Sequence, residues 1–433
     1  MAEALDRFPN SLWAKTAAAM DASPSLVEDI SCDVTIVGAG FTGLRAALAL
    51  AEAGSRVVVI DAGDVGWGAS GRTGGQVNPM LPFNGPDQLQ KLLGPTYFER
   101  LTDVSLNSAD ELFALIRRYN IDCDARQHGW LRVDHCQKVR EVSWRNAQNW
   151  NRFGAGMTQV TGPELLRLSG SPAYQSGILA PKGGAVQPMS LVRGLARASL
   201  EAGAQIFGRT AALRLEQSGG PWTVHTQGGR IRSEWVILAT NGYSDGLLSG
   251  LSRTVMPLVS IQIATDPLSE AQIGAILPDG QTISDTRRVI MYARREPGNQ
   301  MVFGGMGRQL PSGEIIGFDW LVRDATRIFP RLANVQWKYR WGGCIALTED
   351  RLPHLHEPKK GLIAGLGYNG RGVAMSHVMG RVLAERVLGA RPESLPFPIS
   401  SVRRMPFRSV QMMGMGTAVW WMRLQDRLEV SHG

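Results

Sequence analysis

CDVTIVGAGFTGLRAALALAEAGSRVVVID, from Cys32 to Asp61, is the stretch that sets the architecture. It opens with a short β-branched apolar run, which is typical of a buried strand. Glycines then lead into Gly43–Ala53, a run of strong helix formers that Gly54 ends. A second β-branched run, Arg56–Asp61, follows. Strand, glycine turn, helix and strand within about thirty residues predict a βαβ unit with a parallel sheet.

The turn in this unit matches G-x-G-x-x-G in the context that dinucleotide binding requires, after a strand and at the start of a helix. Gly38 permits the tight turn, Gly40 lets a pyrophosphate approach the backbone, and Gly43 lets the helix pack on the strand. The helix N-terminus offers free N–H groups to the phosphates. Asp61 ends the second strand, where a carboxylate accepts hydrogen bonds from a ribose. The pattern therefore predicts a dinucleotide-binding site.

The segment after Asp61 indicates which dinucleotide binds. Its residues 63–75 include six glycines, too many for a core strand or helix, because glycine is conformationally free and has no side chain to pack. Such a loop suits backbone lying against a large flat ligand, which favours FAD over NAD. Arg72 in the loop is placed to neutralise pyrophosphate charge.

Parallel-sheet patterns occur at the beginning, middle and end of the chain, with an antiparallel pattern between them. This predicts an α/β fold: a discontinuous FAD-binding Rossmann-like domain with a parallel sheet, and an inserted α+β substrate domain with an antiparallel sheet. The predicted boundaries are 1–30 for an N-terminal arm, 31–85, 155–250 and 342–395 for the FAD-binding domain, 86–154 and 251–341 for the substrate domain, and 396–433 for a basic C-terminal tail or helix.

Composition narrows the class of protein. The chain has 433 residues and a formal charge of +8, yet no basic run interleaved with aromatics, so nucleic acid is not an expected partner. The four cysteines form no CxxC and the adjacent His135 and Cys136 are poorly placed to bind one ion, so we expect free thiols in a reducing cytoplasm and no metal. Neither a secretory signal nor a membrane-spanning segment is expected.

The motifs together resemble the D-amino-acid oxidase/glycine oxidase superfamily of flavoproteins, and its γ-glutamylputrescine oxidase-like branch most of all. The resemblance spans nearly the whole chain. The matching stretches are CDVTIVGAGFTGLRAALALAEAG, GASGRTGGQ, YQSGILAPKGGAVQPMSLVRGLA, VILATNGY, ISDTRRVIMYARR, QMVFGG, RWGGCIALTEDRLPHL, GLGYNGRGV and the closing PFR…WMRLQDRLEV.

The resemblance implies an extended FAD with its flavin ring between the two domains. The loop glycines and Asp61 are expected at the pyrophosphate and ribose, Ala212 at the adenine, and 367–373 under the pyrimidine edge of the flavin. A helix N-terminus at Val373 would there stabilise the negative charge of reduced flavin, with Arg371 adding a full positive charge. The implied cofactor-binding residues are Gly38, Ala39, Gly40, Phe41, Thr42, Gly43, Asp61, Ala62, Gly68, Ser70, Gly71, Arg72, Gly75, Gln76, Val77, Ala212, Ala239, Gly343, Gly367, Asn369, Gly370, Arg371, Gly372 and Val373.

The sequence differs from the pattern of this branch at three positions. The differences do not change the expectation that FAD binds, but they leave the identity of the substrate undetermined. Asn369 and Arg371 replace the usual Ser and His of GYSGHGV, and Thr73 replaces Asn of SGRNGG. Some relatives attach flavin through a cysteine, but Cys344 lies one residue from that position, where Gly343 stands instead. We therefore expect non-covalent FAD.

The implied activity is hydride transfer to flavin N5 from the carbon next to nitrogen in a small amine or amino acid, giving an imine. The substrate candidates are a γ-glutamyl-polyamine and a cyclic secondary amino acid such as pipecolate or proline. The flavin performs the chemistry, so no protein nucleophile is needed, and no G-x-S-x-G elbow is present. The catalytic and substrate-pocket candidates are Tyr292, Arg294, Trp341 and Arg371, with Met256 and Gln76 as lesser ones.

Arg294 is open to two interpretations, since it either pairs a substrate carboxylate bidentately or lies on an exposed strand edge. Trp341 either bounds the pocket or belongs to the core. His354 and His356 are expected to be structural. The alternative functions are an electron-transfer or assembly flavoprotein, a hydroxy-acid oxidase and a tRNA-modifying flavin enzyme.

The tail Arg403–Val430 carries five arginines, five methionines and the pair Trp420–Trp421. Its uncharged part, Ser409–Met422, has fourteen residues and is too short to span a bilayer. A helix docked on its own protein is one interpretation. The other is a basic, Trp-rich helix that lies on the anionic inner face of the membrane and passes electrons to a quinone. The expected electron acceptor is O2 or a quinone.

Overall fold

The computed structural model describes residues 8–310 and 312–431. The predicted βαβ unit is present: strands Val34–Val37 and Val57–Ile60 pair in parallel, and helix Phe41–Glu52 connects them. The longer helices are Leu12–Thr16, Phe41–Glu52, Pro86–Arg118, Gln137–Asn151, Gly162–Ser169, Pro188–Glu201, Phe318–Ile328, Gly372–Val387 and Arg408–Ser431, and the short Glu270–Ile273 adds one turn.

A seven-stranded sheet forms the first half of the molecule. Its pairs are parallel except for one antiparallel pair, His354–Lys359 with Leu362–Leu366. Three of the inner strands, Val34–Val37, Val57–Ile60 and Leu362–Leu366, are buried along their whole length, as expected for apolar strands in a sheet that helices cover. The spatial order is Ile399–Ser400, His354–Lys359, Leu362–Leu366, Trp235–Leu238, Val34–Val37, Val57–Ile60 and Gln205–Phe207.

An eight-stranded sheet forms the second half, with its own apolar core. It is antiparallel as predicted except for one parallel pair, Trp130–Val133 with Thr282–Asp285. The spatial order is Trp337–Leu347, Met256–Thr265, Met301–Met306, Tyr292–Arg295, Thr282–Asp285, Trp130–Val133, Ser176–Ala180 and Thr158–Thr161.

Two predicted boundaries need correction at the level of strands. Thr158–Thr161 and Ser176–Ala180 fall in the segment 155–250 that we assigned to the FAD-binding domain, but they hydrogen-bond into the eight-stranded sheet. Ile399–Ser400 falls in the predicted tail, yet it pairs with the edge of the parallel sheet. All three strands are too short for their composition to indicate which sheet they join.

Smaller sheets complete the fold. The pairs Arg308–Gln309 with Ile315–Ile316 and Gln76–Val77 with Gly184–Ala185 are two-stranded. A four-stranded sheet lies beside the parallel one, in the order Ile30–Ser31, Arg230–Ser233, Trp222–His225 and Arg214–Gln217. The N-terminal arm is anchored by Trp13, which is fully buried and donates from Nε1 to the carbonyl of Thr73 at 2.8 Å.

Candidate active site

Two helix N-termini meet at one edge of the parallel sheet. The helices Phe41–Glu52 and Gly372–Val387 follow strands of this sheet and pack against each other. Their N-cap residues, Gly40 and Arg371, make no side-chain capping bond. The N–H groups of the first turns therefore point with the positive ends of the helix dipoles towards the carboxyl edge of the sheet, which is the usual binding edge in such folds.

The glycines of the fingerprint are required by close approach of backbone. Gly38 has φ +116° and an added Cβ would lie 2.9 Å from the carbonyl oxygen of Ala239. A Cβ at Gly43 would overlap the carbonyl oxygen of Gly38. At Gly40 it would lie 2.8 Å from Ser70 Oγ. These three positions form a tight turn at the start of a helix, which is the shape that a pyrophosphate needs.

Asp61 closes the turn at the end of its strand. Its carboxylate accepts hydrogen bonds from the N–H of Ala39 at 2.7 Å and of Gly63 at 2.9 Å. Burial raises the pKa of Asp61 to about 6, against the lowering effect of these two donors. The carboxylate has remaining lone pairs, so it suits the two hydroxyls of a ribose.

The second glycine-rich stretch covers the first. Ser70 Oγ accepts a hydrogen bond from the N–H of Phe41 at 2.9 Å, so the loop is fastened to the start of the helix. Arg72 lies over the ring of Trp67, 4.5 Å from its centroid, and burial lowers its pKa. Gly343 packs against this arginine, since an added Cβ would lie 3.0 Å from Arg72 Cβ. Contact of Arg72 with phosphate stays a prediction.

The third glycine-rich stretch joins the other two. The hydroxyl of Tyr368 is hydrogen-bonded to that of Thr42. Asn369 adopts φ +52°. Its side-chain oxygen accepts a hydrogen bond from the N–H of Thr348 at 2.9 Å, and this bond holds the loop in place. The N–H of Gly367 donates to Asn241 Oδ1 at 2.9 Å. Thus the three stretches that we predicted to share one ligand lie together in the structure.

The remaining predicted cofactor residues are spread around this centre. Val77 is fully buried and pairs with Gly184, and Gly68 precedes a short 3-10 turn. Ala212 is partly buried beside the core of the four-stranded sheet. Ala62 is exposed on the described surface. Their contacts with a cofactor stay predictions.

Tyr292 lies where the eight-stranded sheet meets the glycine loop. Its ring packs against Gly74 and Gly304, where an added Cβ would collide with it. Its hydroxyl is hydrogen-bonded to Ser260 Oγ at 2.8 Å and to the amide of Gln262. Burial raises the pKa of Tyr292, so the phenol is neutral. Sequence reasoning missed Ser260 and Gln262, although their alternate spacing on one strand places both side chains on one face.

Gln76 also faces the eight-stranded sheet. Its amide donates to the carbonyls of Ile283 and Ala293, both at 3.1 Å, and Asn78 donates to its oxygen. This residue therefore bridges the glycine loop and the second domain. Met256, the other lesser candidate, is partly buried at the start of its strand opposite Leu347.

Arg294 has neither of the two environments that the sequence left open for it. It is only 1 % exposed, and its guanidinium forms an ion pair with Glu296, which directly follows the strand Tyr292–Arg295. It also donates to the carbonyls of Gly75 and Val186, each at 2.7 Å. The expected carboxylate partner is thus a residue of the chain itself, and neither a substrate contact nor an exposed strand edge fits.

Trp341 belongs to the core. It is 2 % exposed, packs edge-on against Trp13 with ring centroids 5.6 Å apart, and donates to the carbonyl of Arg72 at 3.0 Å. These contacts agree with the interpretation of Trp341 as a core residue, and its place at the pocket stays a prediction. Trp341 supports the glycine loop from behind.

FAD fits this arrangement on three structural observations. The turn at Gly38–Gly43 leaves no space for a Cβ, two helices begin without side-chain caps at the same edge, and a buried carboxylate ends the second strand. Together they define a dinucleotide-binding protein whose site lies between a parallel and an antiparallel sheet.

The comparisons identify the class further. The chain belongs to the family of FAD-dependent oxidoreductases whose model, described as "FAD dependent oxidoreductase", matches residues 33–386. The predicted fold, FAD as cofactor and the resemblance are thereby confirmed. The protein is an FAD-dependent oxidoreductase that acts on amine or amino-acid substrates.

A relative agrees with this class, and two solved structures share the fold. The chain is 31 % identical over 420 residues to the γ-glutamylputrescine oxidoreductase of Escherichia coli, covering 94 % of this chain and 95 % of that protein. Glycine oxidase from Geobacillus kaustophilus has a similar structure, with a TM-score of 0.71 at 22 % identity over 86 % of this chain and 98 % of that one. L-proline dehydrogenase from P. horikoshii gives a TM-score of 0.69 at 19 % identity over 87 % and 100 %.

A cluster away from this site brings together groups that we did not expect to meet. His135, Cys136 and Glu429 place ligand-type atoms within 4.8 Å of one another. His135 is hydrogen-bonded through one ring nitrogen to Thr286 and through the other to Glu429 at 3.0 Å. Arg288 binds the same carboxylate at 2.7 Å, and its charge opposes a cation there. The cluster fastens the C-terminal helix to the second domain.

Proposed function

We propose that this protein oxidises the carbon–nitrogen bond of a γ-glutamyl-polyamine or of a cyclic secondary amino acid such as pipecolate or proline. The observation that carries the proposal is that the polar side chains where the eight-stranded sheet meets the glycine loop are uncharged. Tyr292 is hydrogen-bonded to Ser260 and Gln262, and none of the three carries a charge. Such a site can hold an uncharged amine without adding a competing acid or base.

Bound FAD would supply the acceptor for the hydride. Gly38–Gly43 and Asp61 would hold its pyrophosphate and ribose. The uncapped N-terminus of helix Gly372–Val387 would stabilise negative charge that develops beside it. The chain then has to bind the amine in its neutral form, orient the reacting carbon and exclude water. Tyr292 would act by position, because its raised pKa keeps the phenol protonated.

The test is anaerobic reduction of the FAD-loaded protein. Purified protein is mixed with γ-glutamylputrescine, L-pipecolate, L-proline and D-alanine in turn, and an α-hydroxy acid such as lactate serves as the contrasting class. We expect the flavin absorption to bleach with one of the first three. Bleaching by the hydroxy acid alone, or by none of the compounds in protein that retains FAD, would contradict the proposal. Re-oxidation with O2 and with a soluble quinone then identifies the acceptor.

A second proposal concerns the C-terminal helix, which we propose binds an anionic lipid surface. The ion pair of Asp426 with Arg288 at 3.0 Å holds the far end of the helix, and Arg408, its first residue, donates to the carbonyl of Val255 at 2.9 Å. The preceding part exposes large apolar side chains next to a basic segment. The exposed fractions are 81 % for Phe407, 85 % for Met413, 63 % for Trp420 and 53 % for Trp421.

Exposed tryptophans beside arginines suit the interface of an anionic bilayer. Within the described residues, every helix is too short or too polar to traverse a membrane, so contact would be at the surface. We expect the protein to sediment with vesicles that contain phosphatidylglycerol, and less with pure phosphatidylcholine. Trp420→Ser with Trp421→Ser should abolish sedimentation, whereas Phe83→Ser, at another exposed apolar residue, should not. Equal sedimentation of both variants would refute a role of the helix.

A further inference from the structure

A basic groove lies where the C-terminal helix Arg408–Ser431 begins. One wall is the short 3-10 turn Leu251–Arg253, and the other is formed by residues 404–410. The volume of the groove is about 410 Å³, which lies within the range of small-molecule sites, roughly 300–1,000 Å³. The amine oxidation proposed above does not involve this groove.

Hydrogen bonds to the backbone hold the two walls of the groove together. The N–H of Met405 donates to the carbonyl of Arg253 at 2.8 Å, and the Met405 side chain is buried. Arg408 donates from Nε to the carbonyl of Val255 at 2.9 Å. This bond fixes the Arg408 side chain and leaves its two terminal nitrogens for another partner. The groove is therefore a built part of the fold.

Three guanidinium groups line this groove, those of Arg253, Arg404 and Arg408. In the described part of the chain, no carboxylate oxygen lies within 4.0 Å of their nitrogens. The sequence gives the reason, since no Asp or Glu occurs from Ser394 to Gln425. A planar guanidinium binds two oxygens of one phosphate through parallel hydrogen bonds. The chain thus provides the cations of a phosphate site and no competing anion.

Exposed apolar side chains flank the three arginines. Phe407 is 81 % exposed and Val410 is 66 % exposed, and both line the groove. Phe407 also has φ +51°, in the left-handed region that residues other than glycine rarely adopt. A strained backbone that leaves a large ring in water is unfavourable by itself, and such features persist where they serve binding. A free phosphate has no use for these side chains, whereas the acyl chains of a lipid would cover them.

We infer that this groove binds the headgroup of one anionic phospholipid, with the three arginines around the phosphate and with Phe407 and Val410 beside the acyl chains. The inference rests on the second proposal above, in which the C-terminal helix lies on an anionic lipid surface. The groove is at the start of that helix, and Trp420 lies about 18 Å further along it. Two contacts on one helix fix the orientation of the protein on the membrane.

A matched pair of variants tests the site on vesicles. Arg404→Gln removes a guanidinium from the groove, and Arg403→Gln removes one from the adjacent exposed residue, which does not line it. Attraction to an anionic surface alone predicts the same loss for both, roughly fivefold for each arginine. We expect Arg404→Gln to lower the partition onto phosphatidylglycerol vesicles at least twentyfold, and Arg403→Gln no more than fivefold. Equal losses would overturn the groove as a binding site.

A soluble lipid separates this inference from the proposal on which it rests. The FAD-loaded protein is titrated calorimetrically with dihexanoylphosphatidylglycerol below its micelle concentration. We expect saturable binding that is at least tenfold weaker in Arg404→Gln and unchanged in Arg403→Gln and in the double tryptophan variant. If the lipid binds in this pattern but the protein does not sediment with vesicles, the proposal about the helix fails and the headgroup site stands. Wild-type affinity in Arg404→Gln would refute the site, whatever the vesicles show.

Inorganic phosphate distinguishes a lipid from a free anion in the same titration. We expect phosphate to bind at least tenfold more weakly than the short-chain lipid, and Phe407→Ser to weaken only the lipid. Phosphate that binds as tightly as the lipid would overturn the assignment to a lipid headgroup. Each variant is first compared with the wild type in FAD content and melting temperature. Arg253→Gln, on the opposite wall, should reproduce the effect of Arg404→Gln and takes its place if that variant does not fold.

Discussion

The side-chain oxygens of Thr42 and Tyr368 lie 2.6 Å apart although 326 positions separate the two residues in the chain. Thr42 belongs to the first glycine turn and Tyr368 to the last, and both are buried. Burial also raises the pKa of Tyr368, so its phenol remains a neutral partner. This hydrogen bond therefore fixes the distance between the loop that is expected at the pyrophosphate of FAD and the loop that is expected at its flavin ring.

Removal of this bond should weaken FAD binding. Thr42→Val and Tyr368→Phe each leave one buried polar group without its partner, at a cost of about 1–3 kcal/mol. We expect either variant to lower the melting temperature and to release FAD at lower urea concentration than the wild type. The double variant should cost less than the sum of the two, since no unsatisfied group remains. Strict additivity in FAD content and stability would show that the two hydroxyls are not coupled.

The second prediction concerns Asp61 and pH. Its pKa is about 6 in the folded protein, above the ordinary value of 3.8. The folded state therefore holds this proton more tightly than the unfolded state, so stability of the FAD-free protein falls as pH rises from about 4 to about 6. The difference of about two pKa units corresponds to roughly 3 kcal/mol as an upper limit.

Asp61→Asn should remove this fall and should also weaken FAD binding at least tenfold, because a neutral amide accepts weaker hydrogen bonds than a carboxylate. Urea unfolding of the FAD-free protein across this pH range measures the first effect, and flavin titration measures the second. Asp103→Asn, at an exposed carboxylate, is the control and should retain the wild-type profile. An unchanged pH profile in Asp61→Asn would contradict the assignment.

The third prediction concerns Gly43. Alanine here would place its Cβ on the carbonyl oxygen of Gly38, so either the turn or the helix must move. We expect Gly43→Ala to be isolated without FAD, or to be insoluble. Gly246→Ala meets no atom within 4 Å and should keep full FAD content. Normal flavin content in Gly43→Ala would show that the turn tolerates a wider shape than the structure has.

The fourth prediction separates a structural from a substrate-binding role for Arg294. Arg294→Met leaves the Glu296 carboxylate buried and should destabilise the protein by about 3–5 kcal/mol. Adding Glu296→Met should recover only part of this loss, because the buried carboxylate is then gone but Arg126, which lies 3.5 Å from it, loses its partner. Urea unfolding measures both. A stable single variant with a raised KM for amino acids alone would restore the role in substrate binding.

The fifth prediction concerns the attachment of FAD. Burial raises the pKa of Cys344 to about 11, so the group is a thiol rather than the reactive thiolate. We expect acid precipitation to release all the flavin into the supernatant, from the wild type and from Cys344→Ser alike. Flavin that stays with the precipitate of the wild type and is lost from the variant would demonstrate a covalent bond.

Local patterns predicted what is local in the structure. The turn Gly38–Gly43, the helix behind it and Asp61 follow from short-range sterics, and the structure has them as expected. Arg294 and Glu296 are two residues apart, so the sequence predicts that their side chains lie on one face. It does not indicate that Arg294 donates hydrogen bonds to the carbonyls of Gly75 and Val186. Long-range partners of this kind depend on the packing of whole domains.

The positions of Arg132 and Arg371, which line one pocket, show the same limit. Arg132 stands out in the sequence as a charged residue within the apolar run WLRV. Nothing near it in the sequence indicates that it lines the same pocket as the last glycine loop. Likewise, the composition of the strand Thr158–Thr161 does not indicate which of the two sheets it joins. Residue type can mark such positions, but only the three-dimensional arrangement gives their neighbours.

The order of strands in the parallel sheet has a consequence for biosynthesis. Val34–Val37 emerges early from the ribosome, yet its neighbour Trp235–Leu238 and the next strand, Leu362–Leu366, are translated much later. Contacts between such distant segments form slowly, and unpaired strand edges are prone to aggregation until they do. The helix Gly372–Val387 follows the last of these strands, so a nascent chain cannot capture the flavin before nearly all of its length has been translated. We therefore expect the supply of FAD during synthesis to limit the yield of intact protein.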